Sequence, residues 1–285
     1  MTTPNLFALP EQLRTALPAS VLLGQMWWYA ASVLYPAQAL QRLGRYRPDE
    51  IGQPPGGRTT GLGPRFSREQ RTPRLLPDAG EVDASIHYFD TIATVYDIYL
   101  QSFTRPIYEE AAAILRALLP RDARVLDAGC GPGTETLLLT RLVPDGEVVG
   151  IDLAAGMVET AFASAQRRGV RNVAFFQADV AKLPDEFGTN FDAVFSFGSF
   201  HHYPDPAAAV REMRRVLIPG GRACVIDPGP AWFKAISSPW AKWADPGWVG
   251  FYTGAEMQAL FRQAGFADFY WREVLPGFGL SIAST

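Results

Sequence analysis

Residues 124–133 read Arg-Val-Leu-Asp-Ala-Gly-Cys-Gly-Pro-Gly, and the fold turns on them. Val125 and Leu126 fit the end of a buried strand, and Asp127 stands where that strand emerges. Gly129, Gly131 and Gly133 follow at alternate positions before Thr134 opens a helical stretch. Glycine has no Cβ, so such a loop turns sharply and lets backbone lie against a ligand. Nineteen residues beyond Gly133, Val148-Val149-Gly150-Ile151-Asp152 ends a second strand on a carboxylate. That spacing puts an acid where it can accept hydrogen bonds from the hydroxyls of a ribose.

What the loop lacks narrows the ligand. In a G-x-G-x-x-G dinucleotide fingerprint counted from Gly129 or Gly131, the third glycine falls on Thr134 or Thr136. A P-loop needs Gly-Lys-Ser/Thr, and no lysine precedes Lys182. A glycine loop with a ribose acid and no phosphate cradle fits an adenosine ligand without phosphates. Taken alone, the loop also suits a strand-to-helix turn in some other α/β enzyme. Its D-x-G-x-G-x-G pattern resembles the first motif of the class I S-adenosylmethionine (SAM)-dependent methyltransferases.

The rest of the chain alternates strand and helix signals from Glu81 onward, as in a parallel sheet covered on both faces. Pro106 starts a helix stopped by Pro120, and strand one is Arg124–Asp127. A helix spans Thr134–Val143, strand two ends at Asp152, and the next helix covers Ala155–Arg168. Strand three is Val173–Gln177, and strand four, Phe191–Ser196, is a continuous apolar run suited to burial on both faces. A helix over Pro206–Leu217 closes on Pro219-Gly220-Gly221, and strand five is Arg222–Asp227. Thr253-Gly-Ala-Glu256 is a capping box opening a helix to Ala264. Strand-like runs over Phe266–Val274 and Phe278–Ala283 finish the sheet, and Gly277 between them predicts a tight reversal into an antiparallel last strand.

In that order the resemblance runs from His87 to the C-terminus and is closest to the small-molecule methyltransferases of ubiquinone and menaquinone biosynthesis. Tyr88-Phe-Asp-Thr-Ile-Ala-Thr-Val-Tyr96-Asp97 is similar to that group's F-D-x-x-A-x-x-Y-D segment. Ala178-Asp179-Val180 with Leu183-Pro184, Phe200-His201-His202-Tyr203 with Asp205, and Leu217-Ile-Pro-Gly-Gly221 match later motifs. The resemblance implies an α/β fold: a seven-stranded, mostly parallel, doubly wound sheet of Rossmann-like methyltransferase type with an N-terminal helical extension. It also implies SAM as cofactor. Asp127 and the loop Gly129, Gly131 and Gly133 would surround the methionyl part, Asp152 would hold the ribose, and Leu153 is a further cofactor-binding candidate. The acid matching Asp179 would take the adenine amino group and the backbone of Val180 a ring nitrogen. Ser196 and Phe197 would close the methionyl side through their backbone. Met157 is either an adenine-packing or a core residue, and Tyr96 either bonds the cofactor carboxylate or belongs to the core.

Methyl transfer from a sulfonium is an in-line displacement, so alignment matters most, and a base helps when the acceptor must lose a proton. The chain has three histidines, His87, His201 and His202, of which the last two follow strand four at the ligand-binding edge. His202 is the base candidate with His201 behind it; a structural histidine is the competing reading. Pro230–Tyr252 holds Trp232, Phe233, Trp240, Trp243, Trp248, Phe251 and Tyr252, which predicts either a wall over an apolar acceptor or a self-packed insertion. A quinone, polyketide, terpenoid or lipid-like acceptor suits such a wall. Two other functions stay open: SAM chemistry without methyl transfer, and a SAM-binding partner subunit.

Composition bounds the rest. A net charge of −3 gives no global sign of a nucleic-acid partner. Cys130 and Cys224 form no CxxC or Cys/His cluster, so no metal site is expected and two reduced thiols in a cytoplasmic enzyme are. Residues 1–80 carry nine arginines against five acids, the remainder 17 basic against 24 acidic residues, which divides the chain into 1–80 and a catalytic domain 81–285. Residues 47–80 are rich in Pro, Gly and Arg and read as an irregular arm. Ala19–Leu34, bracketed by Pro18 and Pro36, is an apolar helix shorter than the ~20 residues of a membrane span. Three uses fit it: packing on the domain or in a homodimer, peripheral membrane contact through Trp27, Trp28 and Tyr29, and a true span.

Overall fold

The computed structural model describes residues 115–116, 118–244, 247–275 and 277–285, together with Ile86 and Phe89; the side chains at 240, 242–244 and 275 are not described. The 19–34 helix, the arm, the division at residue 80, His87, Tyr96 and the start of the helix at Pro106 therefore lie outside the described residues, as do the side chains of Trp240 and Trp243.

Seven strands form one sheet in the order β3-β2-β1-β4-β5-β7-β6. They are β1 (Arg124–Ala128), β2 (Glu147–Asp152), β3 (Val173–Gln177), β4 (Phe191–Phe197), β5 (Leu217–Pro228), β6 (Asp268–Leu275) and β7 (Phe278–Ser284). The first five are mutually parallel, and β7 runs antiparallel to both β5 and β6. Gly277, at φ 89°, takes the left-handed turn into β7 that the sequence predicted.

Alternation along each strand feeds two cores. Leu126, Val149, Val194 and Val225 point to one face, where they meet helices α3 (Pro206–Val216) and α5 (Gly254–Gln263) through Val210, Met213, Met257 and Phe261. Val125, Val148, Ala193 and Cys224 point to the other, against Leu139 and Leu142 of α1 (Thr134–Leu142) and against Leu115. Helix α2 (Ala155–Arg167) packs Val158 and Ala161 on Leu137 and Phe175. Because both faces are buried, the strands read as continuous apolar runs. Asp205 caps α3 by accepting from the Ala208 N–H, and the Thr253–Glu256 capping box at α5 is present in both directions.

Two elements differ from the sequence reading. Strand β5 begins at Leu217, not Arg222: Leu217 pairs with Phe191 and Arg222 with Ala193, so five steps of β5 lie against two of β4. Gly220, at φ 78°, lets that excess bulge out before pairing resumes. The aromatic stretch after β5 contains a helix, α4 (Ala231–Ala244), with Pro239 inside it. An interior proline removes one helical hydrogen bond. Packing of Phe233 and Ala241 against Phe251 and Trp248 holds the helix in spite of it. Among the described residues no helix is long and apolar enough to cross a membrane.

Candidate active site

The carboxyl ends of β1, β2, β4 and β5 share one edge, and the chain reverses its order between β1 and β4. Ligands in open α/β sheets bind at such a switch point. The glycine loop sits there. Gly129 and Cys130 donate their N–H groups to the carbonyl of Ile151 at 2.9 and 2.8 Å, which ties the loop to the end of β2. Gly129, Gly131 and Gly133 have φ values of 77°, 51° and 86°, where side chains are strained. Their surroundings differ. A Cβ on Gly129 would lie 2.5 Å from Ser199 Oγ, and one on Gly133 would lie 2.7 Å from Ala161 Cβ. Among the described residues, a Cβ on Gly131 would meet nothing within 4 Å. Gly129 and Gly133 thus serve close packing, while Gly131 borders open space.

Asp152 is fixed by the loop. Its Oδ2 accepts the Gly131 N–H and its Oδ1 the Ala154 N–H, both at 2.9 Å. Next to it, the Leu153 carbonyl accepts from Gln177 Nε2 at 2.9 Å. Asp179, after β3, accepts the Ala181 N–H at 2.8 Å, and Val180 beside it is buried. Met157 is buried with Ala154, and Phe89 packs on both. Asp127 is 1% exposed and accepts from Thr136 Oγ1 at 2.6 Å. Burial, and to a lesser degree the charge of Asp152, push its carboxyl up to about 7 against the hydrogen bond from Thr136.

Three acids, Asp127, Asp152 and Asp179, thus stand at consecutive strand ends around a loop with one open glycine. That donor set fits a ligand with a ribose diol and positive charge better than one with phosphates. SAM meets that description; when bound it supplies an electrophilic methyl group on a sulfonium.

Across the switch point the β4 side is stitched to β1 by hydroxyls. Tyr203 OH and Ser199 Oγ both donate to the Ala128 carbonyl, at 2.8 and 3.1 Å. Ser196 Oγ lies 2.9 Å from Ser199 Oγ and 3.0 Å from Tyr203 OH. The Ser196 side chain therefore belongs to this network, and that of Phe197 packs into the core beside Phe195. Tyr203 stood in a quoted motif but was given no role. Its phenol is buried, and burial raises its pKa.

His201 and His202 sit in the 3₁₀ turn Phe200–His202 just after β4. Their rings lie 3.9 Å apart. His201 Nδ1 is 3.0 and 3.1 Å from the two oxygens of Asp227 near the end of β5, both side chains being buried. Sequence reading named Asp227 as a strand end only. Burial, then the neighbouring His201, hold the His202 imidazole well below its ordinary pKa, against a hydrogen bond with the Gly247 backbone. Val249 and Gly250 N–H groups both donate to the His201 carbonyl, at 2.8 and 3.2 Å.

Of the aromatic insertion, Phe233 and Phe251 pack into a small core, as a self-packed insertion would. Tyr252 instead lines a narrow cavity with Phe200, Asp227, Met257 and Trp271. Among the described residues no cluster of three or more His, Cys, Asp or Glu side chains is arranged to hold a metal.

Residues 119–265, just over half the chain, match the family described as a methyltransferase domain. The chain belongs to that family. Its matched region is similar to the class I, SAM-dependent methyltransferases, menaquinone-type enzymes among them. The chain is 38% identical over 144 residues to a demethylmenaquinone methyltransferase of Thermus thermophilus, covering 50% of this chain and 64% of the relative. It is 36% identical over 139 residues to a trans-aconitate 2-methyltransferase of Methylobacterium nodulans, covering 49% and 50%. The chain thus spans less than two thirds of either relative. The crystal structure of the YcgJ protein of Bacillus subtilis aligns with a TM-score of 0.53 at 29% identity, over 58% of this chain and 71% of that one.

Proposed function

We propose that this chain transfers the methyl group of SAM to an apolar small-molecule acceptor, with a quinol or similar phenolic ring as the favoured class. The carrying observation is the pairing of the open Gly131 loop with Asp152, flanked by Asp127 and Asp179, at the switch point of the sheet. Likeness to a demethylmenaquinone methyltransferase supports a quinone-like acceptor. In this reading Asp152 orients the ribose, Asp179 and Val180 receive the adenine, and the glycine loop meets the methionyl group. Ser196 and Phe197 contribute backbone on the β4 side. Alignment of donor and acceptor by these groups carries most of the rate, worth up to about 7–11 kcal/mol in well-oriented systems.

Calorimetry with S-adenosylhomocysteine and with NAD tests the reading. The expected result is binding of the first and none of the second. Asp152→Ala should weaken the first by about 1.5–3 kcal/mol, the scale of a charge-assisted hydrogen bond. Tighter binding of NAD than of SAM would end the methyltransferase reading.

A further inference from the structure

The peptide that joins Ala128 to Gly129 is held at both ends. Pairing between β1 and β4 stops at Asp127–Phe195, and one residue later side chains take over. On the β4 side, Tyr203 OH and Ser199 Oγ donate to the Ala128 carbonyl at 2.8 and 3.1 Å. On the β2 side, the N–H of the same peptide, that of Gly129, donates to the Ile151 carbonyl at 2.9 Å. A peptide is planar, so holding both of its polar ends holds the plane and thereby limits φ of Gly129. That angle, 77°, is the left-handed turn from which the glycine loop departs. The protons of the network count out in one way, since each hydroxyl has one to give. Those of Tyr203 and Ser199 go to Ala128, so Ser196 Oγ, 2.9 Å from Ser199 Oγ and 3.0 Å from Tyr203 OH, is the donor behind them. Tyr203 and Ser196 are buried, and burial keeps the phenol protonated.

We propose that Tyr203 is a positioning residue for cofactor binding: by holding the Ala128 carbonyl it keeps the Ala128–Gly129 peptide, and with it the loop Gly129–Gly133, in its ligand-ready shape. The inference rests on the reading of that loop as the SAM site. Without the phenol hydroxyl the loop stays tied to β2 through the Gly129, Cys130 and Gly131 N–H groups. What is lost is the stronger hold from the other side. The Ala128 carbonyl then keeps only the longer Ser199 bond, and the peptide plane is free to tip. Ordering it again on binding costs affinity, which a prepared loop does not lose. Packing makes no demand for the hydroxyl: the Tyr203 ring rests on Phe200 with centroids 5.1 Å apart, a contact that phenylalanine would keep.

The test is Tyr203→Phe in the full chain, which removes one hydroxyl and keeps the ring. Calorimetry with S-adenosylhomocysteine should show affinity about tenfold or more below wild type. Thr140→Val removes another buried hydroxyl, one bonded to the Leu137 carbonyl at 2.8 Å within α1, and should bind within about threefold of wild type. Hydrogen exchange of the ligand-free chains gives a readout that general destabilisation would not move. In Tyr203→Phe the Gly129 and Cys130 amides should gain at least about tenfold in rate relative to the Val148 amide, which donates to the Asn172 carbonyl. A variant that had only lost stability would speed all three alike. Affinity of Tyr203→Phe within about threefold of wild type, or equal acceleration of the three amides, would overturn the proposal. Should Tyr203→Phe not fold, Ser199→Ala removes the other donor to Ala128, and the same two measurements decide on it. A wild-type chain that does not bind S-adenosylhomocysteine refutes the cofactor reading and this inference with it. If the wild type binds, the Tyr203→Phe comparison judges the inference alone.

Discussion

Alanine at Gly129 and at Gly131 should do opposite things, although the two stand two residues apart in one loop. Both have positive φ, 77° and 51°, so either substitution carries the left-handed penalty of about 1–2 kcal/mol. At Gly129 the new methyl would also lie 2.5 Å from Ser199 Oγ and 2.6 Å from Ser199 Cβ. The Cβ is attached to backbone and cannot swing aside, so the turn after β4 must shift. That shift strains the Ser199 and Tyr203 bonds to the Ala128 carbonyl, which join β4 to β1. Overpacking of this kind costs about 1–3 kcal/mol, for a total of about 2–5 kcal/mol. At Gly131 the methyl meets nothing within 4 Å among the described residues, so strain is the structural cost they set. The open space it enters is where the reading places the cofactor.

Urea unfolding and calorimetry with S-adenosylhomocysteine, run on both variants, separate the two effects. Gly129→Ala should lose the greater stability, with weakened binding following from it. Gly131→Ala should stay within about 2 kcal/mol of wild-type stability while losing at least tenfold in affinity. Equal destabilisation of both variants, with Gly131→Ala binding as wild type, would refute the cradle and reduce the loop to a packing turn.

Two further outcomes follow from Asp127 and from the arm. The folded Asp127 carboxyl stands at about 7 against an ordinary 3.8, so between those values the folded state holds a proton that the unfolded chain has released. Raising pH from about 4 to about 7 should therefore destabilise the ligand-free protein relative to Asp127→Asn, by at most about 1.4 kcal/mol per pH unit. SAM, being cationic, favours the ionised form, so binding near pH 6 should release a proton that Asp127→Asn does not, as read by calorimetry in buffers of different ionisation enthalpy. Removal of residues 1–45 should leave S-adenosylhomocysteine binding intact; a soluble truncated chain that no longer binds it would put the arm in the site.

The parts of this protein that were legible in its sequence are those set by neighbours in the chain. The strand signals, the Gly277 reversal, the Thr253–Glu256 cap and the loop from Asp127 to Asp152 are each coded by spacing within a few residues or one β-α-β unit. Helix α4 was missed for the same reason: Pro239 is a local signal against a helix, and only contacts from Phe251 and Trp248 outweigh it. The β4–β5 side was hidden by a different circumstance. His201 and Asp227 are 26 residues apart, and Tyr203 and the Ala128 carbonyl 75. No spacing rule connects them, because what brings them together is strand order. Once β4 is known to lie between β1 and β5, the residues just past its end must face those past both neighbours. The last residues of each parallel strand and the first turn after it are where Asp227 meets His201 and Tyr203 meets the Ala128 carbonyl. In an open parallel sheet those positions converge on one edge, and polar groups buried there need partners from the adjacent strand end.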